Sequence, residues 1–393
     1  MEARYEVLRR ATEEVAAVDA HAHNLVEHGS AFPFLRCFSE AEGDALALAP
    51  HSLSFKCGMR MAATLWGLPC HRAVERGGCI VRLWSSPCLL MNHECLGSLG
   101  LRSLRDIAAL YNCEASLEKV EKFRSAEGLK SIGSKCFQAA NISVILIDDG
   151  IAFDKMLDLE SHKAFAPVVG RVLRIERLAE TIINAVAWKE FTLTNSMAIR
   201  YRSISNQIVA LKSIAAYRSG LEINPNVSKT DAEDGLRKEL TGPRPFRITN
   251  KNLIDYLFTC SLGIAVSLSL PVQIHTGFGD KDLDLRKCNP LHLRAVLEDE
   301  RFAKCQIVLL HASYPFSKEA SYLASVYSQV YLDFGLAIPK LSVHGMTSSL
   351  KELLELAPIK KKCNKHKKSC SNRKCSRIQV LVVENAAVKY TAQ

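Results

Sequence analysis

The 393-residue sequence lacks any apolar run long enough to cross a bilayer: the longest, from Leu262 to Ile274, is short and interrupted by polar residues. It also lacks the basic stretch, apolar core and small-residue cleavage site of a secretory leader at its start. Both absences point to a chain of the cytoplasm with no membrane partner, where thiols stay reduced and disulfides among its 14 cysteines are not expected. A third absence concerns the first apolar strand. The segment Val18-Asp19-Ala20-His21-Ala22-His23 carries no glycine-rich phosphate turn, which argues against a Rossmann-type nucleotide fold.

What is present is a globular composition, 48% hydrophobic and 23% charged, with a mean hydropathy of +0.02. Such a chain can bury one large core or two medium ones. The net charge of +10 would suggest an anionic partner if it were spread over the molecule. It is not: residues 360–393 hold ten Lys and Arg against the single acid Glu384, so residues 1–359 have 41 basic and 40 acidic residues, a net of +1. Cysteine is uneven in the same way. Cys57, Cys70, Cys79, Cys88 and Cys95 fall within 57–101, as do Trp66 and Trp84, and Cys363, Cys370 and Cys375 fall in the basic tail.

Elsewhere short β-branched runs alternate with longer amphipathic stretches, the pattern of βα units around a parallel sheet. The expected strands are Val15–Asp19, Ile142–Ile147, Val168–Ile175, Ile208–Ile214, Pro271–Ile274, Gln306–Leu310 and Val330–Leu332. Helical patterns lie at Ile175–Ala187, Leu253–Leu262, Pro290–Leu297 and Lys318–Val326. This number and spacing favour a (β/α)8 TIM barrel over a doubly wound sheet. In a barrel the carboxyl ends of the strands face the active site. Strand one ends in His21-Ala22-His23, a later strand in His275-Thr276-Gly277, and the next in His311-Ala312-Ser313. The i, i+2 spacing puts His21 and His23 on one side of an extended chain, where two imidazoles can share a metal ion. A third histidine from a neighbouring strand would complete the set, and a fourth is free for acid or base work near neutral pH.

Four segments carry a resemblance: Val18–Asn24 (VDAHAHN), Leu211–Leu221 (LKSIAAYRSGL), Gln273–Leu285 (QIHTGFGDKDLDL) and Ile307–Pro339. Together they resemble the amidohydrolase-like N-terminal domain of the plant nodulin/glutamine synthetase fusion proteins, also called FluG-like. The likeness covers about residues 1–56 and 102–360, and implies a metal-dependent hydrolase of the amidohydrolase superfamily. It implies His21, His23 and His275 as ligands of a divalent metal, with zinc the expected ion. It gives His311 the place of a group that either binds a second metal or acts as acid or base. Lys212 falls where some relatives carry a carbamylated bridging lysine and others a plain one. Tyr217 and Arg218 would hold a substrate carboxylate, Arg218 by bidentate pairing, with an ion pair at a loop base as the equal alternative. Asp280, Asp282 and Asp284 form an acidic loop that a solvated surface would also explain. The substrate is expected to be a small molecule, and a homo-oligomer or association with a full-length fusion protein stays open.

Two departures from the family stand out. After Ala357-Pro358-Ile359-Lys360-Lys361 the family continues into an eighth strand ending in an aspartate that binds the metal and accepts a proton from the attacking water. Here neither that strand nor its aspartate is found, so the eighth βα unit reads as missing or replaced and the chain is expected to be weakly active or inactive. Residues 57–101 form an irregular insertion, read either as a lid at the site mouth or, preferably and together with the tail, as translated intron or wrongly assigned exon sequence. The expected organisation is thus a barrel domain over 1–360 and a basic tail over 361–393, expected to be disordered. In that tail Cys363, His366, Cys370 and Cys375 have zinc-binding types at a spacing that fits no standard finger. The run 378–383 could fill the eighth position and present Glu384. The alternatives to an enzyme are a non-catalytic truncated product of a glutamine synthetase fusion protein and, resting on the tail charge alone, a nucleic-acid binder, a disfavoured reading.

Overall fold

The computed structural model describes residues 17–25, 27, 107–151, 155–185, 201–204, 207–242, 244–337, 341 and 343–358. The insertion 57–101, the tail 361–393 and the expected 378–383 strand with Glu384 lie outside the described residues.

Seven strands, β1 (Ala17–His23), β2 (Ile142–Asp148), β3 (Val168–Arg174), β4 (Ile208–Ser213), β5 (Val272–Ile274), β6 (Ile307–Leu309) and β7 (Val330–Leu332), pair in chain order. Every pairing is parallel. Parallel neighbours need crossovers, and the helices supply them: α1 (Leu117–Ala139), α2 (Ile175–Ala185), α3 (Lys229–Leu240), α4 (Lys251–Leu268), α5 (Arg294–Leu297), α6 (Ser317–Val326) and α7 (Val343–Leu356). The expected TIM-barrel-type α/β fold is therefore present, with seven strands among the described residues. The sheet curls on itself: the side chain of Gln273 on β5 donates to the carbonyl of Ala20 on β1 at 2.7 Å.

The apolar strands explain the curl. Leu211, Val272, Ile274, Leu309 and Val330 are fully enclosed, and the outer helices cover them with Leu253, Leu257, Phe258, Leu262, Leu323 and Leu353. Burying such residues is worth about 1.5–3 kcal/mol each, which is why the helices lie where their apolar stripes meet the sheet. Local caps fix where helices begin. Asn250 accepts from the Leu253 amide at 3.2 Å to start α4, and Ser228 accepts from the Asp231 amide at 3.0 Å to start α3.

Most of the expected boundaries agree to within a few residues. The stretch expected as one helix over 290–297 is a 3₁₀ turn, Pro290–Leu293, followed by the short α5. The helical patterns named from the sequence include neither α3 nor α7, and they miss α1, a charged helix interrupted at Gly128, whose φ of 78° is non-helical. No helix among the described residues is long and apolar enough to cross a membrane. Cys113, Cys136, Cys260, Cys288 and Cys305 are free thiols.

Candidate metal centre

The carboxyl ends of the strands converge on one polar cluster. On the side of β1 to β4, Asp148 ends β2, Arg174 ends β3 and Lys212 lies one residue from the end of β4. Lys212 is fully enclosed, and an ammonium there needs acceptors. It finds Asp148 Oδ2 at 2.8 Å and His21 Nε2 at 2.7 Å. Arg174 donates through Nη2 to Asp148 Oδ2 and through Nε to Oδ1 at 3.3 Å. The Gly150 amide adds a bond to Oδ1 at 3.0 Å, and a Cβ at Gly150 would collide with the Arg174 side chain at 2.6 Å. Burial opposes ionisation of Asp148, but the charges of Arg174, Lys212 and His23 outweigh it and hold the carboxyl well below the usual range.

On the opposite side the groups are imidazoles and a single carboxyl. His275 ends β5 and is buried; its Nε2 lies 3.2 Å from the Phe278 carbonyl and its Nδ1 2.9 Å from His311 Nε2. The ring of His311 lies 4.4 Å from that of His275 and 4.7 Å from that of His21, centroid to centroid. Burial first, and then the neighbouring imidazoles and Lys212, push His311 well below its ordinary pKa; for His21 desolvation is again the first cause and Lys212 the second. His23 stands at the rim with Nδ1 3.0 Å from the Asp148 carbonyl.

The loops are shaped to hold this arrangement. His311, Ala312 and Ser313 all adopt left-handed backbone conformations, with φ of 67°, 54° and 50°. Each costs on the order of 1–3 kcal/mol and persists only where its surroundings enforce it. Here the Ala312 amide donates to the Asp333 carbonyl at 2.7 Å, and the Ser317 hydroxyl donates to the Ala312 carbonyl at 3.1 Å. The β5 loop approaches so closely that Gly277, at φ 68°, has room for no Cβ: one would sit 2.4 Å from the Ser313 backbone. Glycine there lets the His275 and His311 loops touch.

Asp333, directly after β7, completes the cluster. Its Oδ2 accepts from the His311 and Gly335 amides at 3.2 and 3.1 Å, and burial raises its pKa. Among the described residues, His21, His311 and Asp333 each offer one donor atom, and these lie within 4.8 Å of one another. Two imidazoles and a carboxylate suit a divalent ion. Two buried atoms of that set, His311 Nδ1 and Asp333 Oδ1, have no hydrogen-bond partner among the described residues, so the donors fit a metal.

The expected residues therefore separate. His21 and His311 belong to the tightest donor group; His23 and His275 flank it. Lys212 bridges His21 and Asp148. Tyr217 meets the His275 ring at 4.6 Å, while its hydroxyl donates to Asp280 Oδ2 at 3.2 Å and accepts from the Asp280 amide at 3.1 Å. Arg218 pairs with Glu180 at 3.1 Å, both enclosed, which is the loop-base ion pair named as its alternative role. Of the acidic loop, Asp280 binds Tyr217, Asp282 faces Arg247 at 3.6 Å, and Asp284 pairs with Arg286. Sequence reasoning passed over Asp148, Arg174 and Asp333. The signal was available: each is the polar residue at the end of a correctly placed strand.

A curled parallel sheet with its polar groups at the carboxyl ends defines a TIM-barrel-like α/β fold. Residues 249–361 match the family model described as amidohydrolase. The chain is similar to protein fluG of Emericella nidulans, with 29% identity, and the match takes in 89% of this chain and 39% of fluG. The chain thus spans about two fifths of the length of that curated relative. Together these two findings support an amidohydrolase-like family. Among solved structures, a protein of Lactobacillus casei ATCC 334 assigned as a metal-dependent hydrolase shares the fold with a TM-score of 0.65 and 23% identity, covering 98% of this chain and 88% of that one. Uronate isomerase of Thermotoga maritima shares it with a TM-score of 0.56 and 14% identity, covering 90% and 83%.

Proposed function

We propose that this chain is a metal-dependent hydrolase acting on a C–N bond of a small carboxylate-bearing molecule. The observation that carries the reading is the convergence of His21, His23, His275, His311 and Lys212 from β1, β4, β5 and β6 on one end of the sheet, around donors with unmet hydrogen-bonding capacity. A divalent ion held there, with zinc favoured by the imidazole-rich donors, would lower the pKa of a bound water and polarise the scissile carbonyl. The other roles fall to the chain's own groups. Lys212, bonded to His21 and Asp148, is read as a plain ammonium rather than a carbamate, and orients the His21 ring. His311 and His275 share a hydrogen bond along which a proton can pass between the cluster and the β5 loop. Tyr217, turned edge-on to His275, forms a wall for the substrate, and Arg218 supports that wall through Glu180.

Activity is expected to be low, because the family's eighth-strand aspartate has no counterpart in the sequence after 361. The test is to measure bound metal and the hydrolysis of a panel of N-acyl amino acids, with and without chelator, and to repeat it with the family ending grafted after 361. Chelator-sensitive turnover that rises in the graft supports the reading; equal turnover in both removes the impairment. A protein that neither binds metal nor turns over any amide would favour the alternative, a non-catalytic piece of a glutamine synthetase fusion.

A further inference from the structure

One buried histidine stands apart from the polar cluster. His162, in the 3₁₀ turn Ser161–Ala164 between β2 and β3, is only 1% exposed. Its two ring nitrogens have partners that fix the tautomer. The Asp158 carbonyl can only accept, so Nδ1, at 2.6 Å, carries the hydrogen. The Leu25 backbone amide can only donate, so Nε2, at 2.9 Å, is the acceptor. His162 is therefore a neutral imidazole that satisfies a buried N–H on another element of the fold.

That amide belongs to the exit of β1, where His23 is followed by Asn24, whose side chain donates to the Leu157 carbonyl at 2.9 Å. Leu157 returns the contact, its amide donating to the Leu25 carbonyl at 2.8 Å. The β2–β3 connection thus holds both the amide and the carbonyl of Leu25, just beyond His21 and His23, and His162 supplies the acceptor that can titrate. A proton arriving at Nε2 turns that acceptor into a donor facing the Leu25 N–H. Asp158 is the charged group that acts on the ring; the elements packed at this corner present Ala22, Leu25, Ile145, Ile147 and Phe165, all apolar, with Phe137 of α1 against them. Phe165 meets the ring edge-on at 6.3 Å, and Glu160 and Lys163 of the same turn pair with each other at the surface. Burial accordingly holds the His162 pKa below its ordinary 6.5, against the pull of Asp158.

From this geometry we propose that His162 is a positioning residue: in its neutral form it pins the exit of β1, and with it the segment that carries His21 and His23, and its protonation unlatches that segment. Because the folded-state pKa lies below the unfolded one, the latch is closed above pH 6.5 and opens as pH falls through the folded value. The latch itself does not rest on the hydrolase reading; its effect on catalysis does.

The test is hydrogen exchange on the full chain, read by mass spectrometry on the peptide carrying Leu25 from pH 7.5 to 4.5, with rates corrected for the intrinsic pH dependence of amide exchange. In the wild type, protection of that peptide is expected to fall about tenfold on acidification, the worth of one lost buried hydrogen bond, while protection of α4 holds. In His162→Gln the side-chain oxygen can accept from the Leu25 amide and does not titrate, so protection is expected to stay near its neutral-pH value throughout. His162→Phe keeps the bulk without an acceptor and should exchange about tenfold faster at every pH. Circular dichroism on each variant confirms the fold. A flat wild-type profile, a His162→Gln profile that still falls on acidification, or a parallel loss of protection in α4 would each overturn the proposal. None of these outcomes depends on bound metal or turnover, so the hydrolase reading stands or falls separately, on its own assay.

Discussion

At the ends of β2, β3 and β4 the buried polar groups are ions that satisfy one another: Asp148 lies against Arg174, Lys212 and the Gly150 amide. Across the site, at the ends of β5, β6 and β7, they are two imidazoles and a carboxyl, of which His311 Nδ1 and Asp333 Oδ1 have no hydrogen-bond partner among the described residues. Both halves are equally enclosed, so burial alone does not distinguish them. The difference lies in how hydrogen-bonding capacity is distributed. A closed network rigidifies, because losing any member strands the others; an open one keeps free lone pairs pointed at a common centre, at a cost in stability.

The contrast can be broken most severely on the closed side. Asp148→Ala leaves Arg174 and Lys212 as enclosed cations without their shared anion, and is expected to cost about 3–5 kcal/mol, read as a large drop in the urea midpoint. Asp19, whose Oδ1 accepts the His21 amide, gives a smaller and pH-dependent effect. Desolvation raises its pKa from 3.8 to about 6, so the folded state holds the proton more tightly than the unfolded one. Its contribution is fully present below pH 3.8 and is lost as pH rises through about 6, a change of about 3 kcal/mol. Asp19→Asn should therefore match the wild type at pH 4 and exceed it at pH 7 in thermal melts; wild-type behaviour at both would remove the idea. The smallest effect belongs to the open side. In chelator, Asp333→Asn relieves an enclosed, unpartnered carboxylate and is expected to stabilise the protein by about 1 kcal/mol at neutral pH. A loss instead would mean that Oδ1 has a partner when the protein is free of metal.

The strands were legible because apolar β-branched runs between polar ends have few other interpretations, and His21, His275 and His311 stood out at those ends. Asp148, Arg174 and Asp333 occupy equivalent places, yet aspartate and arginine at a strand end are common enough to pass as turn residues. Only the paired register of β1 with β2 and β3 with β4 shows that His23, Asp148, Arg174 and Lys212 share one end of the sheet. The fate of Arg218 was not readable from local pattern, since Glu180 reaches it from α2, a separate crossover. The helix α1 was missed for a different reason: its charges fall on several faces and Gly128 interrupts its period.

The left-handed turn at His311, Ala312 and Ser313 also sets a limit on improving this protein. Replacing His311 by glycine would relax the first of those three residues and, in the same stroke, delete the imidazole at the centre of the cluster. A screen that selected only for a higher melting temperature would thus be drawn toward positions such as this one, and would return sturdier proteins from which the chemistry had been removed.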